Sequence, residues 1–192
     1  MAKAKNATIW TEAGYELFAR EGFEAIQIEK LARLLQLNKS GFYHYFGDLE
    51  VFLDELLRLH RQKANHYLAD IREVKTIDPE YFQIVVKHKV PVMFHMHLFR
   101  TKNKPEFTAL AQTIDEEEEI IMGELWTAYL GFKGSSEAAI RYFNLVRDMI
   151  NARMSFQNLD VEFLRVGVTE AKLIIQNLAL IHAEAETGQM QF

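Results

Sequence analysis

Apolar residues recur along the chain at the three- and four-residue spacing of an amphipathic helix, and nowhere do they alternate long enough to predict a strand. Near the start, Ile9, Ala13 and Leu17 form one row and Trp10, Gly14 and Phe18 a second, with Gly22 as the stop of this first helix. Ile28, Leu31, Ala32 and Leu35 fall at i, i+3, i+4 and i+7, which predicts a short second helix over about residues 27–35. Asn38 has the side-chain oxygen to cap a third helix over 39–46, and Gly47 ends it. Asp48 caps a long fourth helix carrying Leu49, Phe52, Leu53, Leu56, Leu57 and His60 inward and running toward Ile71. Asp78 and Pro79 open a fifth, with Phe82, Val85, Val86, Val90, Met93, Phe94, His97 and Leu98 on it. Pro91 lacks an N–H and crowds the turn before it, so this helix is expected to kink or split. After a loop at 102–104, Pro105 reopens a helix that continues through Ile120, Ile121, Leu125, Trp126 and Tyr129, with a candidate break near Thr113. Gly131, Gly134, Ser135 and Ser136 mark a turn, and helices over about 137–156 and 160–186, joined by 157–159, should lie antiparallel.

Three prolines and nine glycines in 192 residues suit this all-α reading, and 49% hydrophobic with 26% charged residues is an ordinary globular balance. The absence of cysteine excludes disulfides, thiolate metal sites and a cysteine nucleophile. The eleven uncharged residues 173–183 fall short of the roughly 18 needed to span a bilayer. Glu12 and Glu16 interrupt any apolar signal segment in the first twenty residues, so a soluble cytoplasmic protein without membrane contact is expected. The formal charge of −5 argues against a chain that coats nucleic acid over its whole surface, and any such face must be local. Residues 1–63 carry nine Lys or Arg against nine Asp or Glu, a net charge of zero.

The second and third helices have the size and spacing of a helix-turn-helix. From Tyr15 to Leu57 the chain resembles the N-terminal domain of TetR-family regulators. The resemblance rests on Leu17-Phe18 with Gly22-Phe23, on Ile28, Leu31 and Ala32 in register, and on Phe42-Tyr43-His44-Tyr45-Phe46 closing the third helix. It implies a helix-turn-helix DNA-binding domain over 1–48 joined to a helical ligand-binding and dimerisation domain over 49–192. At the start of the third helix Lys39 can donate to guanine, Ser40 can bond almost any base, and Gly41 lets the backbones approach. The resemblance makes Tyr43 a phosphate contact and adds Tyr45, with His44 beside it, to the DNA-facing set. Phe42 and Phe46 should point inward, toward Leu31, Leu35 and Phe18. Periodicity alone equally allows the tyrosine cluster to be an amphipathic core helix. Three positions depart from the family pattern: Ile26 replaces a capping hydroxyl, Gln36 the usual turn glycine, and Leu49 a lysine that commonly touches the DNA backbone.

In the larger domain Met93, Phe94, Met96, Phe99, Met122, Trp126, Tyr129, Tyr142, Phe143 and Arg147 are candidates to line a pocket for an apolar or aromatic effector, with core packing as the alternative for each. His88, His95 and His97 invite a metal, but no carboxylate lies between His88 and Arg100, and no metal or other cofactor is expected. The acidic run 115–119 reads as a solvated helix face or first turn. The closing helix is apolar nearly all round, so one face is expected to meet a second subunit. The candidate interface is Phe143, Ile150, Phe163, Ala171, Ile174, Ile175, Leu178 and Ile181.

The expected function is a homodimeric, non-enzymatic regulator that binds double-stranded operator DNA as a repressor and is released by a small molecule. The alternatives are a helical-bundle binding protein or enzyme without DNA binding, and a regulator without a ligand. The enzyme class has no HExxH, Glu-x-x-His pair, Walker loop, GxGxxG or GxSxG to stand on.

Overall fold

The computed structural model describes residues 2–101, 103–131 and 136–188, and the side chains of 7–101, 103–131 and 141–174. Among the described residues there are nine α-helices and no strand: α1 (Ala2–Glu21), α2 (Ile28–Leu35), α3 (Lys39–Phe46), α4 (Leu49–Arg72), α5 (Phe82–Lys87), α6 (Lys89–Arg100), α7 (Pro105–Leu130), α8 (Ser136–Arg153) and α9 (Val161–Gly188). A 3-10 turn at Phe23–Ala25 and a π-helical turn at Ile77–Tyr81 join the longer elements.

Local chemistry sets most of these boundaries. Asn38 Oδ1 accepts the Ser40 N–H at 2.9 Å, and Asp48 Oδ1 accepts that of Val51 at 2.9 Å, so α3 and α4 both start on side-chain caps. Helix α2 starts without one: Ile26 is buried, and Gln27 at the cap position makes no side-chain bond to the helix. The split expected from Pro91 occurs, but the backbone breaks at His88, leaving the proline in the first turn of α6 where its missing N–H is not needed. The candidate break near Thr113 is not realised. Its hydroxyl donates to the Ala109 carbonyl at 3.0 Å, and α7 runs through unbroken.

The core is continuous from the N-terminal module into the larger bundle. Trp10 and Phe52 pack edge to face on Phe42 at 5.5 and 5.0 Å, and Phe46 lies edge to face on Phe52 and tilted against Phe42. The expected partner Phe18 lies elsewhere: it packs on Phe94 and Phe107, tying α1 to α6 and α7. At Gly14 a Cβ would sit 2.4 Å from Phe52 Cζ, so only glycine allows α1 to lie this close to α4. The first turns of α4 (Phe52, Leu53) belong to the module's core, while His60, Ala64 and Tyr67 further along the same helix face the bundle.

Candidate nucleic-acid interface and internal cavity

The α2–α3 turn is made by Gln36, whose φ of 55° places it in the left-handed region. Its N–H bonds the Ala32 and Arg33 carbonyls, and the Leu37 N–H reaches Ala32 at 2.9 Å, closing α2 in place of the glycine usual at such a turn. This turn aims α3 so that Phe42 and Phe46 are buried and Lys39, Ser40, Tyr43 and His44 are exposed, with Gly41 and Tyr45 half-buried. A Cβ on Gly41 would have only Trp10 Nε1, 4.0 Å away, for company, so nothing inside the protein requires glycine there. Lys39 Nζ bonds Glu29 Oε1 at 2.9 Å, and Lys30 bonds Glu21 at 2.5 Å. Lys39 and Lys30 are thus already paired, in keeping with the module's zero net charge. Leu34 and Leu37 are exposed beside α3.

A cavity of about 100 Å³ lies within the larger bundle, walled by residues of α4–α9 and the turn before α5. Of the candidate pocket residues, Met96, Trp126, Phe143 and Arg147 line it. The other six do not. Phe94 stacks on Tyr15 at 4.3 Å and on His60 at 4.6 Å, filling the seam between α1 and α4. Met93 and Met122 are buried away from the cavity. Phe99 is partly exposed beside the His95 ring, Tyr129 lies under Lys172 Nζ at 4.2 Å, and Tyr142 donates to the Ala171 carbonyl at 3.0 Å.

Apart from Arg147 and Trp126, the cavity's polar wall comes from residues the pattern did not nominate. The run 115–119 is not a uniformly solvated face: Asp115 and Glu118 are buried, Glu117 bonds Arg61 at 2.7 Å, and Glu116 is exposed. Glu118 Oε1 accepts the hydroxyls of Tyr67 and Tyr81, each at 2.6 Å. Burial and the Glu118 charge push both phenols well above their ordinary pKa, so both remain protonated donors. Asp115 accepts from His95 Nε2 at 2.9 Å and pairs with Arg147 Nη1 at 3.0 Å.

From Asp115 a line of buried groups leads back to the first helix. His95 Nδ1 faces His60 Nε2 at 3.4 Å, and His60 Nδ1 faces the Tyr15 hydroxyl at 2.8 Å. Desolvation, assisted by His95 and Arg61, holds His60 well below the ordinary histidine pKa, so its ring is neutral. With His95 Nε2 donating to Asp115, the His95–His60 and His60–Tyr15 contacts form one continuous buried line. Tyr15 sits in the DNA module and Asp115 in the cavity wall.

Among the described residues no group of three or more His, Asp and Glu is placed to hold a metal. His88 instead donates to Asp70 at 2.7 Å, and with Lys87 holds that carboxyl down to about 2. Of the interface candidates, Phe143, Ile150 and Ala171 are buried within their own chain, because α8 and α9 pack so closely that a Cβ on Gly167 would lie 3.2 Å from Ile150. Phe163 is half-buried and Ile174 exposed, while Ile175, Leu178 and Ile181 have side chains outside the described residues. Leu145, Val166 and Leu173 are further exposed apolar residues on the same two helices. No described helix is long and apolar enough to cross a membrane.

A capped recognition helix with one buried aromatic face and one exposed polar face, set on a two-helix turn, defines a helix-turn-helix DNA-binding transcriptional regulator. Residues 11–56 match the family model for bacterial regulatory proteins, tetR family, which supports a tetR-type transcriptional regulator. No curated protein matches the chain.

Proposed function

We propose that the protein is a homodimeric, cytoplasmic transcriptional repressor, without catalytic activity, that leaves its operator when a small molecule occupies the cavity. On this reading Lys39, Ser40, Gly41, Tyr43, His44 and Tyr45 meet DNA: Lys39 and Ser40 at base edges, Tyr43 at phosphate. The observation that carries the ligand-response part is the hydrogen-bonded line from Asp115 through His95 and His60 to Tyr15. A ligand shifts DNA binding only by favouring one of two arrangements, and a group that changes partner at Asp115 alters the anchorage of α1. Ile174, Leu173 and Phe163 of α9 supply the apolar surface for a second subunit.

Selection of bound duplexes from a random DNA pool tests this reading. A twofold dimer should enrich a near-palindrome with half-sites about one helical turn apart, or a multiple of that. With Lys30 and Lys39 already paired to carboxylates, log affinity should fall only shallowly with log salt. Enrichment of one asymmetric half-site bound by a monomer contradicts it.

A further inference from the structure

We propose that the ligand of the cavity is a small neutral carbonyl compound, of the size of a short primary amide, whose oxygen accepts hydrogen bonds from Trp126 Nε1 and Arg147 Nη1. This rests on the reading of the cavity as a ligand site and goes beyond it in naming what the site accepts.

The inference starts from two buried donors. Trp126 is 4% exposed, and its Nε1 has no hydrogen-bond partner among the described residues. Arg147 Nη1 stands 3.0 Å from Asp115 Oδ2, but the two are not aligned as a hydrogen bond, and this nitrogen too is buried without a partner. Both residues line the cavity. An indole N–H and a guanidinium can only donate, so what the wall lacks is an acceptor. Unpaired donors held out of water are costly and rare in native proteins, and a ligand that accepts from them removes that cost. Both side chains lie against the Phe143 ring, whose centre is 5.4 Å from the Trp126 ring and 5.7 Å from Arg147 Cζ. A carbonyl oxygen carries two lone pairs and can accept from both.

Charge and size narrow the class. Asp115 and Glu118 face the cavity with Arg147, and Asp115 already stands beside that guanidinium. An anionic acceptor would bring a third carboxylate to one arginine, whereas a neutral carbonyl meets both donors without adding charge. Glu118 takes two tyrosine hydroxyls on one oxygen, and a carboxylate has lone pairs beyond these, so the N–H groups of an amide also find an acceptor in the wall. A cavity of roughly 150 Å³ holds benzene and its six non-hydrogen atoms, so about 100 Å³ takes a ligand of about four. Acetamide has that size. An acceptor on Arg147 Nη1 sits beside Asp115, where the buried line to Tyr15 begins.

Titration of the full-length protein at neutral pH, followed through the indole N–H resonances of isotope-labelled tryptophan, tests the proposal with three probes of one size: acetamide, acetate and isopropylamine, which is protonated at that pH and can only donate. The chain has two tryptophans, so Trp10→Phe or Trp126→Phe assigns the two signals. Acetamide should move the Trp126 signal downfield to saturation, and bind at least about tenfold tighter than acetate or isopropylamine. In Trp126→Phe, which keeps an aromatic ring but removes the donor, calorimetry should show acetamide binding at least about threefold weaker. A Trp126 signal that acetamide leaves in place, acetate or isopropylamine binding as tightly as acetamide, or an acetamide affinity unchanged in Trp126→Phe overturns the proposal. The wild-type titration stands even if the variant does not fold. Adding acetamide to the protein on its selected duplex separates the two readings. Acetamide that binds at Trp126 without releasing DNA upholds the ligand class and contradicts the repressor-release reading.

Discussion

Replacing Tyr15 by phenylalanine removes one oxygen and tests whether the buried line from α1 to the cavity is held as described. The ring remains, and with it the stack on Phe94 at 4.3 Å, so no packing is lost beyond the hydroxyl. What changes is His60. Its Nδ1 loses its hydrogen-bond partner while the residue stays 1% exposed. An unsatisfied buried polar atom costs about 1–3 kcal/mol. For a chain of this length each kcal/mol moves the melting temperature by roughly 2–4 °C, so Tyr15→Phe should melt about 2–12 °C lower. Thermal and urea unfolding at neutral pH read this directly. A loss below about 0.5 kcal/mol would mean that the hydroxyl bond contributes nothing and that His60 is free to change its partner.

The same histidine gives a pH dependence of known sign. His60 has a folded pKa below its unfolded value, so its contribution is full above about pH 6.5 and declines as pH falls, because the unfolded chain takes up a proton that the native state refuses. Urea unfolding should show this one group removing about 1.4 kcal/mol per pH unit below that point, a slope that His60→Gln abolishes. Asp70, held down to about 2, loses its contribution only as pH falls from about 4, so the two effects separate. Gln36→Gly should raise stability by about 0.5 kcal/mol, since glycine occupies the left-handed region without strain but loses more chain entropy on folding; an unchanged or lower melting temperature contradicts that assignment of strain. Leu173→Asp combined with Ile174→Asp should give a folded monomer in sedimentation, because both side chains are exposed in the protomer; a wild-type dimer would place the interface elsewhere.

The parts of the fold legible in the sequence are those set by neighbours in the chain. Asn38 and Asp48 cap the helices expected of them because the cap bond spans two or three residues. Pro91 foretold a split helix, although where the backbone yields depended on His88, which finds Asp70 across the bundle. The face of α3 was legible from the alternation of Phe42 and Phe46 with Lys39, Tyr43 and His44. The cavity was not, because its polar wall is assembled from α4, α6, α7 and α8. One signal was nevertheless present. Ala111, Asp115, Glu118, Met122 and Trp126 share a single stripe of α7, and two carboxylates in an otherwise apolar stripe mark a buried polar site. Reading 115–119 as one acidic block hid the helical phase that buries Asp115 and Glu118 and exposes Glu116. Met93 and Phe94 were chosen for softness and aromaticity, properties that core residues share, and both proved to be core.

The central claim, that the exposed face of α3 reads DNA, is tested most directly by the affinity of the selected duplex for wild-type protein, Tyr43→Ala and Lys39→Ala, measured by fluorescence anisotropy alongside single-base variants of the duplex. Both substitutions lie on exposed positions and should leave the fold intact. The account predicts a loss of at least about tenfold for Tyr43→Ala on every duplex, and for Lys39→Ala a loss accompanied by relaxed preference at one base pair. Binding of both variants at wild-type affinity and with wild-type sequence preference would contradict it.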